Sequence, residues 1–477
     1  MANKKSRNRR AEQRRAAAKG KTQSSGKRTK RQLTEKRWWG PVWLENLVYA
    51  AIIVIAGVFI YQRTIDYDLV YCDDNIFVID YLEYNKNPDN IINSFKKSIG
   101  ASYYRPVLAS SFIIDYQIGE QNPSTYRATN VILHLIGSVL VYFVLVKLRY
   151  PRIGALIFGL IFVAHPVLTP AASWISGRND SLITLFVASS FLALLGFYRS
   201  ETSNKYIFYA LHMLLFAIAL FTKETAAFLP FVILAYIVFF KKDKLITSKS
   251  ISLVAGWGLI GLIWLLIRDQ ALAHLGESPD TIGLTALWKN LPSVPAMMGK
   301  VFLPWKMHAL ANFEQFSILT GLAAIGAIIA FIFLKKDVDR KKVLFGFLWY
   351  LILILPTLLI RIVYVDDFFD YAEHRMYLLM IGIFIIILEI LKAYKVDFKN
   401  PLVLAVSFII IAALGYRSFV YQPVFENRKT YWQNAIDVYP EKSRGYLDLG
   451  KAYYVSGELE TADSLYHKGI ELNPDNF

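Results

Sequence analysis

Residues 317–334 read SILTGLAAIGAIIAFIFL, eighteen in a row without a charge, and residues 335–342 read KKDVDRKK. As a helix such a run is about 27 Å long at 1.5 Å per residue, close to the thickness of a bilayer's hydrocarbon core. The basic cluster behind it is what the cytoplasmic flank of a span carries. Outward from this stretch the same punctuation recurs along the chain. Apolar runs predict spans at 41–61, 129–147, 152–165, 181–198, 205–221, 225–240, 251–267, 317–334, 343–360, 376–392 and 401–416. Every second turn between them is short and basic: Lys147, Arg149 and Arg152, then Arg199 and Lys205, then Lys241, Lys242 and Lys244. Lys335, Lys336, Arg340, Lys341 and Lys342 follow, and finally Lys392, Lys395 and Lys399. That alternation puts the N-terminus in the cytoplasm, and an odd number of spans puts the C-terminus outside.

The segment 284–307, with Trp288, Pro292, Pro295, Pro304 and Trp305, is too interrupted for a clean span and too apolar for an exposed loop. It reads as a re-entrant or interfacial helix, tolerable where protein or water satisfies its backbone. The formal charge of +16 does not make this a nucleic-acid binder, because residues 1–37 hold 15 Lys or Arg against two Glu. Such a tail, polar and without apolar periodicity, reads as a disordered cytoplasmic arm suited to anionic lipid headgroups and to no specific nucleic acid. No cleavable signal peptide fits the first apolar stretch, and the lone Cys72 excludes an intrachain disulfide or a cysteine-based metal site.

Past residue 417 the pattern changes. Tyr446, Leu449, Gly450, Tyr453, Ala462, Tyr466 and Pro474 are spaced as in a tetratricopeptide repeat, and Trp432, Ala435 and Pro440 precede Tyr466, Gly469 and Pro474 by 34 residues. The expected fold is therefore all-α: a basic tail (1–38), a polytopic membrane domain of about eleven spans plus the re-entrant or interfacial helix (39–417), and a short repeat module (418–477). So short a module buries little core by itself, so it should lean on the membrane domain, on a partner or on further repeats.

Buried charge inside spans would mark an ion-coupled transporter. Here the spans carry only isolated groups such as His134 and His212, each expected to be a hydrogen-bonded interior residue. Charge crowds the loops predicted to lie outside. The first of these, 63–128, holds Asp73-Asp74 and Tyr103-Tyr104-Arg105-Pro106. The next carry His165-Pro166, Trp174 to Asp180, Thr222-Lys223-Glu224-Thr225, and Asp366, Asp367, Asp370, Glu373, His374, Arg375 and Tyr377. Adjacent carboxylates can host a general base, with a solvated acidic turn as the alternative. Cations on four loops of one face suit a phosphate clamp, with an ion-pair network between loops as its rival.

The order and loop placement of these motifs resemble the polytopic glycosyltransferases of the type C fold. Among them, the O-mannosyltransferases that join a membrane domain to tetratricopeptide repeats are most similar. The resemblance rests on Asp73-Asp74, Tyr104-Arg105-Pro106, Tyr126 with Asn130 and His134, His165-Pro166 with Thr169, Gly177-Arg178, Lys223-Glu224 and Glu373-His374-Arg375-Met376-Tyr377-Leu378. Pro170 stands where the family usually has Glu, a contribution that is either lost or supplied by another residue such as Asp180. The resemblance implies inverting transfer of a sugar, mannose or similar, from a polyprenyl phosphate to a protein or glycan hydroxyl outside the cytoplasm. It makes Asp73 the base, with Asp74 orienting the acceptor or substituting for Asp73. Arg105, Arg178, Lys223 and Arg375 become ligands of the donor phosphate, with His165 supporting them. Asp180, Glu224, Glu373 and Tyr377 are left to the acceptor or to support. No cofactor is implied; Asp73, Asp74 and Asp180 suit a divalent metal, which relatives using lipid monophosphate donors generally do not need. Two other classes stay open, a non-catalytic membrane-anchored repeat scaffold and a flippase for lipid-linked sugars. The long basic tail and short repeat region favour a bacterial inner membrane over the endoplasmic reticulum.

Overall fold

A computed structural model describes residues 41–98, 103–241, 246–273, 283–308, 314–360 and 373–474. The basic tail, Lys242, Lys244, Asp366, Asp367 and Asp370 lie outside the described residues. Every long element among the described residues is a helix. Among the described residues nine helices are long and apolar enough to cross a membrane, or ten when Arg152–Ala164 and Pro166–Ser173, bent by 54° at His165, count as one broken span. Pro166 explains the bend: it has no N–H to give and disfavours helix at the residue before it. The remaining expected span, near 225–240, is a shorter apolar helix of 17 residues, Glu224–Phe240. The chain is thus a multi-pass membrane protein.

Local chemistry sets where spans begin. An Asn-Pro pair opens two of them: Asn122 accepts from the Ser124 N–H ahead of Pro123–Lys147, and Asn400 from the Leu402 N–H ahead of Pro401–Tyr421. In each the Asn side chain satisfies an orphan N–H and Pro occupies a first-turn position that needs none. Burial then sorts the spans. Glu373–Ala393 is 83% buried and Ile175–Arg199 67%, whereas Gln315–Leu334 is only 17% and Ser248–Leu272 22% buried, leaving apolar side chains for lipid. The inner helices meet through small residues, as packing without a hydrophobic drive requires. A methyl group on Gly346 would lie 2.6 Å from the Gly382 carbonyl oxygen, and one on Gly382 2.5 Å from that of Gly346.

The segment 284–307 is two short helices, Leu284–Asn290 and Ser293–Phe302, separated at Leu291 and Pro292. The second packs on Gln315–Leu334 where Gly299 and Gly321 face backbone. His134 and His212 are interior residues. The His134 ring lies 2.6 Å from the Tyr377 hydroxyl and 3.1 Å from the Val163 carbonyl, and His212 Nε2 accepts the Trp257 indole N–H at 2.9 Å. After the last long helix come Arg428–Val438, Ser443–Val455 and Leu459–Leu472. The second and third of these cross where Leu449 and Ala462 are buried and Gly450 faces the Tyr466 ring.

Candidate functional site

Helix ends bring four separate stretches of sequence together. Arg105 caps the helix Pro106–Gly119, and Asp180 lies in the first turn of Arg178–Arg199. Lys223 and Glu224 fill the corner after Asn204–Thr222, and His374 and Arg375 precede Met376–Ala393. The Arg105 guanidinium grips Glu224, with Nη2 2.9 Å and Nε 3.2 Å from one carboxylate oxygen. Lys223 Nζ donates to both Asp180 oxygens at 2.8 and 2.9 Å and to Asn179 Oδ1 at 2.7 Å. His374 Nε2 lies 3.6 Å from Asp180 Oδ2, and the Arg375 charge acts on both Asp180 and Lys223. Burial draws the Lys223 ammonium below its ordinary pKa; Asp180 pulls it back up, and Arg105 and Arg375 push it down. Three cations, Arg105, Lys223 and Arg375, share this corner with the carboxylates of Asp180 and Glu224. Partly buried cations gathered from several loops suit an anion.

The acidic pair lies one step away. The Trp174 indole N–H donates to the Cys72 carbonyl at 2.9 Å, and the Trp174 ring stands edge-on to His374 with centroids 5.5 Å apart. The first-loop turn is therefore linked through Trp174 to His374, Asp180 and Lys223. Its two carboxylates differ completely. Asp73 is exposed on backbone in the left-handed region, φ 64°, as is Tyr71, φ 57°. A residue with a Cβ adopts that region at a cost of about 1–3 kcal/mol, and such residues cluster at functional sites.

Asp74 is fully buried and accepts the N–H groups of Val70, Cys72 and Asn75 at 2.7, 3.1 and 3.0 Å. Burial pushes its pKa up to about 6, against the pull of those donors and of Arg127, and its oxygens are engaged by backbone. An acceptor-orienting role for Asp74 does not fit this geometry. Replacing Asp74 with Ala would leave three N–H groups without their acceptor, at roughly 1–3 kcal/mol each where water cannot replace it. We expect Asp74→Ala to lower the thermal midpoint of the purified protein strongly, and an unchanged midpoint would count against this role.

Other residues singled out in the sequence are likewise engaged within the fold. Arg178 is fully buried and pairs with Asp115. It also donates to Asn130 Oδ1 at 2.7 Å, to the Tyr126 carbonyl at 2.8 Å and to Ser111 at 3.2 Å. A guanidinium so enclosed ties helices together and does not face a phosphate. His165 takes the Val167 N–H on Nδ1 and places Nε2 2.9 Å from the Val301 carbonyl, so both nitrogens serve the bend. Tyr377 is buried against His134. Glu373 takes Lys300 at 2.5 Å and the Tyr421 hydroxyl at 3.4 Å, and so anchors the turn that presents His374 and Arg375.

Sequence reasoning missed Trp174 and His374 as members of the cluster, and Lys300 and Arg127 as buried cations. For His374 the signal was its place inside Glu373-His374-Arg375. For Lys300 nothing local distinguished it from an interfacial lysine.

Residues 107–267 match the family described as dolichyl-phosphate-mannose-protein mannosyltransferase. A protein O-mannosyl-transferase of Caenorhabditis elegans is 21% identical over 445 residues, covering 89% of this chain and 62% of that protein. The protein O-mannosyl-transferase TMTC3 of Homo sapiens is 31% identical over 124 residues, 25% of this chain and 13% of that one. The chain thus spans less than two thirds of the length of either relative. A solved structure, ArnT from Cupriavidus metallidurans in the apo state, superposes with a TM-score of 0.48 at 13% identity, covering 90% of this chain and 76% of its own. By the family match at 107–267 and a sequence likeness that runs through 89% of its length, the chain is similar to the protein O-mannosyl-transferases.

Proposed function

We propose that the protein is a membrane glycosyltransferase that moves mannose or a similar sugar from a polyprenyl phosphate to an acceptor hydroxyl, on protein, at the non-cytoplasmic side. The observation that carries this reading is the linkage of an exposed carboxylate on strained backbone, Asp73, through Trp174 to a cluster that gathers Lys223, Arg105 and Arg375. The two halves match the two needs of a single displacement at an anomeric carbon. The Asp73 carboxylate takes the proton of the acceptor hydroxyl as its oxygen forms the new bond to C1. The bond from C1 to the phosphate oxygen breaks on the opposite face, so the sugar inverts. The electron pair leaves with the lipid phosphate, whose growing charge Arg375, Arg105 and Lys223 offset. Asp180 and Glu224 hold the cations in place, and the helices after residue 421 offer a surface for a peptide acceptor.

Transfer of radiolabelled sugar from polyprenyl-phosphate donors in membranes tests the proposal. Label transferred by the wild type supports it, and no transfer from any common donor favours a scaffold or a flippase. Arg375→Ala is expected to lower kcat/KM for the lipid-linked donor on the order of 10²-fold, the scale seen when one donor to a developing oxyanion is removed. Unchanged donor dependence removes Arg375 from the clamp.

A further inference from the structure

We propose that residues 425–431, which follow the last long helix, are a positioning element for Asp73, holding the Tyr71–Cys72–Asp73 backbone in its left-handed shape through Arg428 and Tyr431. This rests on Asp73 as the base, the reading given above.

A turn with two non-glycine residues at positive φ, 57° and 64°, relaxes unless its surroundings fix it. One side of the fixing is already described: Asp74 gathers three N–H groups and Trp174 takes the Cys72 carbonyl. The other side comes from the far end of the chain. The fully buried Arg127 donates through one guanidinium nitrogen to the carbonyls of both Asp68 and Phe425, the latter at 3.0 Å. The Asp68 N–H donates to the Glu426 carbonyl at 2.8 Å. The two stretches therefore run side by side into the turn.

Immediately beyond, a capping box starts the next helix. Asn427 accepts from the Thr430 N–H at 3.1 Å, and Thr430 Oγ1 from the Asn427 N–H at 3.1 Å. Arg428 and Tyr431 are thus presented from a fixed first turn. The Arg428 guanidinium lies over the Tyr71 ring, 4.8 Å from its centroid. Tyr431 is 1% exposed, and its hydroxyl and the Cys72 thiol act on each other. Arg428 and Tyr431 hold the two residues that flank or precede Asp73, and neither needs to touch substrate to set where its carboxylate points. Displacing a reacting group by about 1 Å costs on the order of 10²-fold in rate.

The test combines hydrogen–deuterium exchange with kinetics on the full-length purified protein carrying Arg428→Met and Tyr431→Phe together. Both substitutions keep the packed stem or ring. We expect amide exchange in the peptide 66–80 to rise about tenfold, as local opening becomes easier, with exchange at 176–190 unchanged. We expect kcat to fall about 10²-fold with the donor KM unchanged, and Arg428→Lys, which keeps the cation over the ring, to retain most of the rate. Unchanged exchange at 66–80 overturns the proposal, and so does faster exchange with unchanged kcat. Wild-type activity in Asp73→Asn would sink the base reading instead, and the exchange result would still decide whether this segment holds the turn.

Discussion

Asparagine in place of Asp73 is expected to lower sugar transfer about 10³-fold at matched expression, with no change in thermal midpoint. The magnitude is that of a positioned general base, and an amide of the same shape cannot take a proton. The midpoint should hold because Asp73 is exposed, and the neighbouring Asp74 gathers the N–H groups of the turn. Transfer is measured with labelled donor in membranes, and melting with the purified protein. Near-normal transfer would remove Asp73 from the reaction. Loss of both transfer and folding would make the exposed carboxylate a structural residue, contrary to its geometry.

Methionine in place of Arg178 is expected to do the reverse. Removing one partner of a buried ion pair strands the other, at about 3–5 kcal/mol. Here Asp115, itself 2% exposed, would be the stranded charge, and Asn130, Tyr126 and Ser111 would each lose a donor. We expect a large drop in folded yield and melting temperature, with the surviving folded protein showing an unaltered donor KM. A well-folded Arg178→Met protein with a raised donor KM would return Arg178 to the phosphate clamp that sequence resemblance implies.

The contrast between these two residues shows which parts of the site were legible in the sequence. Spans were readable because apolar runs and basic turns are properties of contiguous residues, and each expected run corresponds to a helix, down to the short Glu224–Phe240. The cation loops were readable as a set because charge between two spans has few places to go, and Arg105, Lys223 and Arg375 do share one neighbourhood. What the sequence could not rank was which charges are already satisfied. Asp73 and Asp74 are adjacent and chemically identical, and only a left-handed backbone at Asp73 separates an exposed carboxylate from one wrapped in N–H groups. Arg178 sits two residues from Asp180, yet its partners lie 48 to 67 residues earlier in the chain. Pairings over such distances leave no local trace. Arg127 is the extreme case, a buried cation in the first turns of a span, where a reading by hydropathy expects only a flanking charge.

Arg127 also has a consequence for the order in which the protein is assembled. Its guanidinium needs the carbonyl of Ser173, 46 residues later, that of Asp68, 59 residues earlier, and that of Phe425, 298 residues later. During synthesis the first two are available once the early spans have entered the bilayer, but the third emerges only after the last one. Until then a buried cation lacks one of its acceptors and the acidic turn lacks one of its walls. A ribosome-bound or truncated chain therefore carries the early helices and their charges without a finished reaction centre. On the proposed function, closure of the site would wait for the helix Pro401–Tyr421 to insert, and copies made only up to that point would be inert toward the sugar donor.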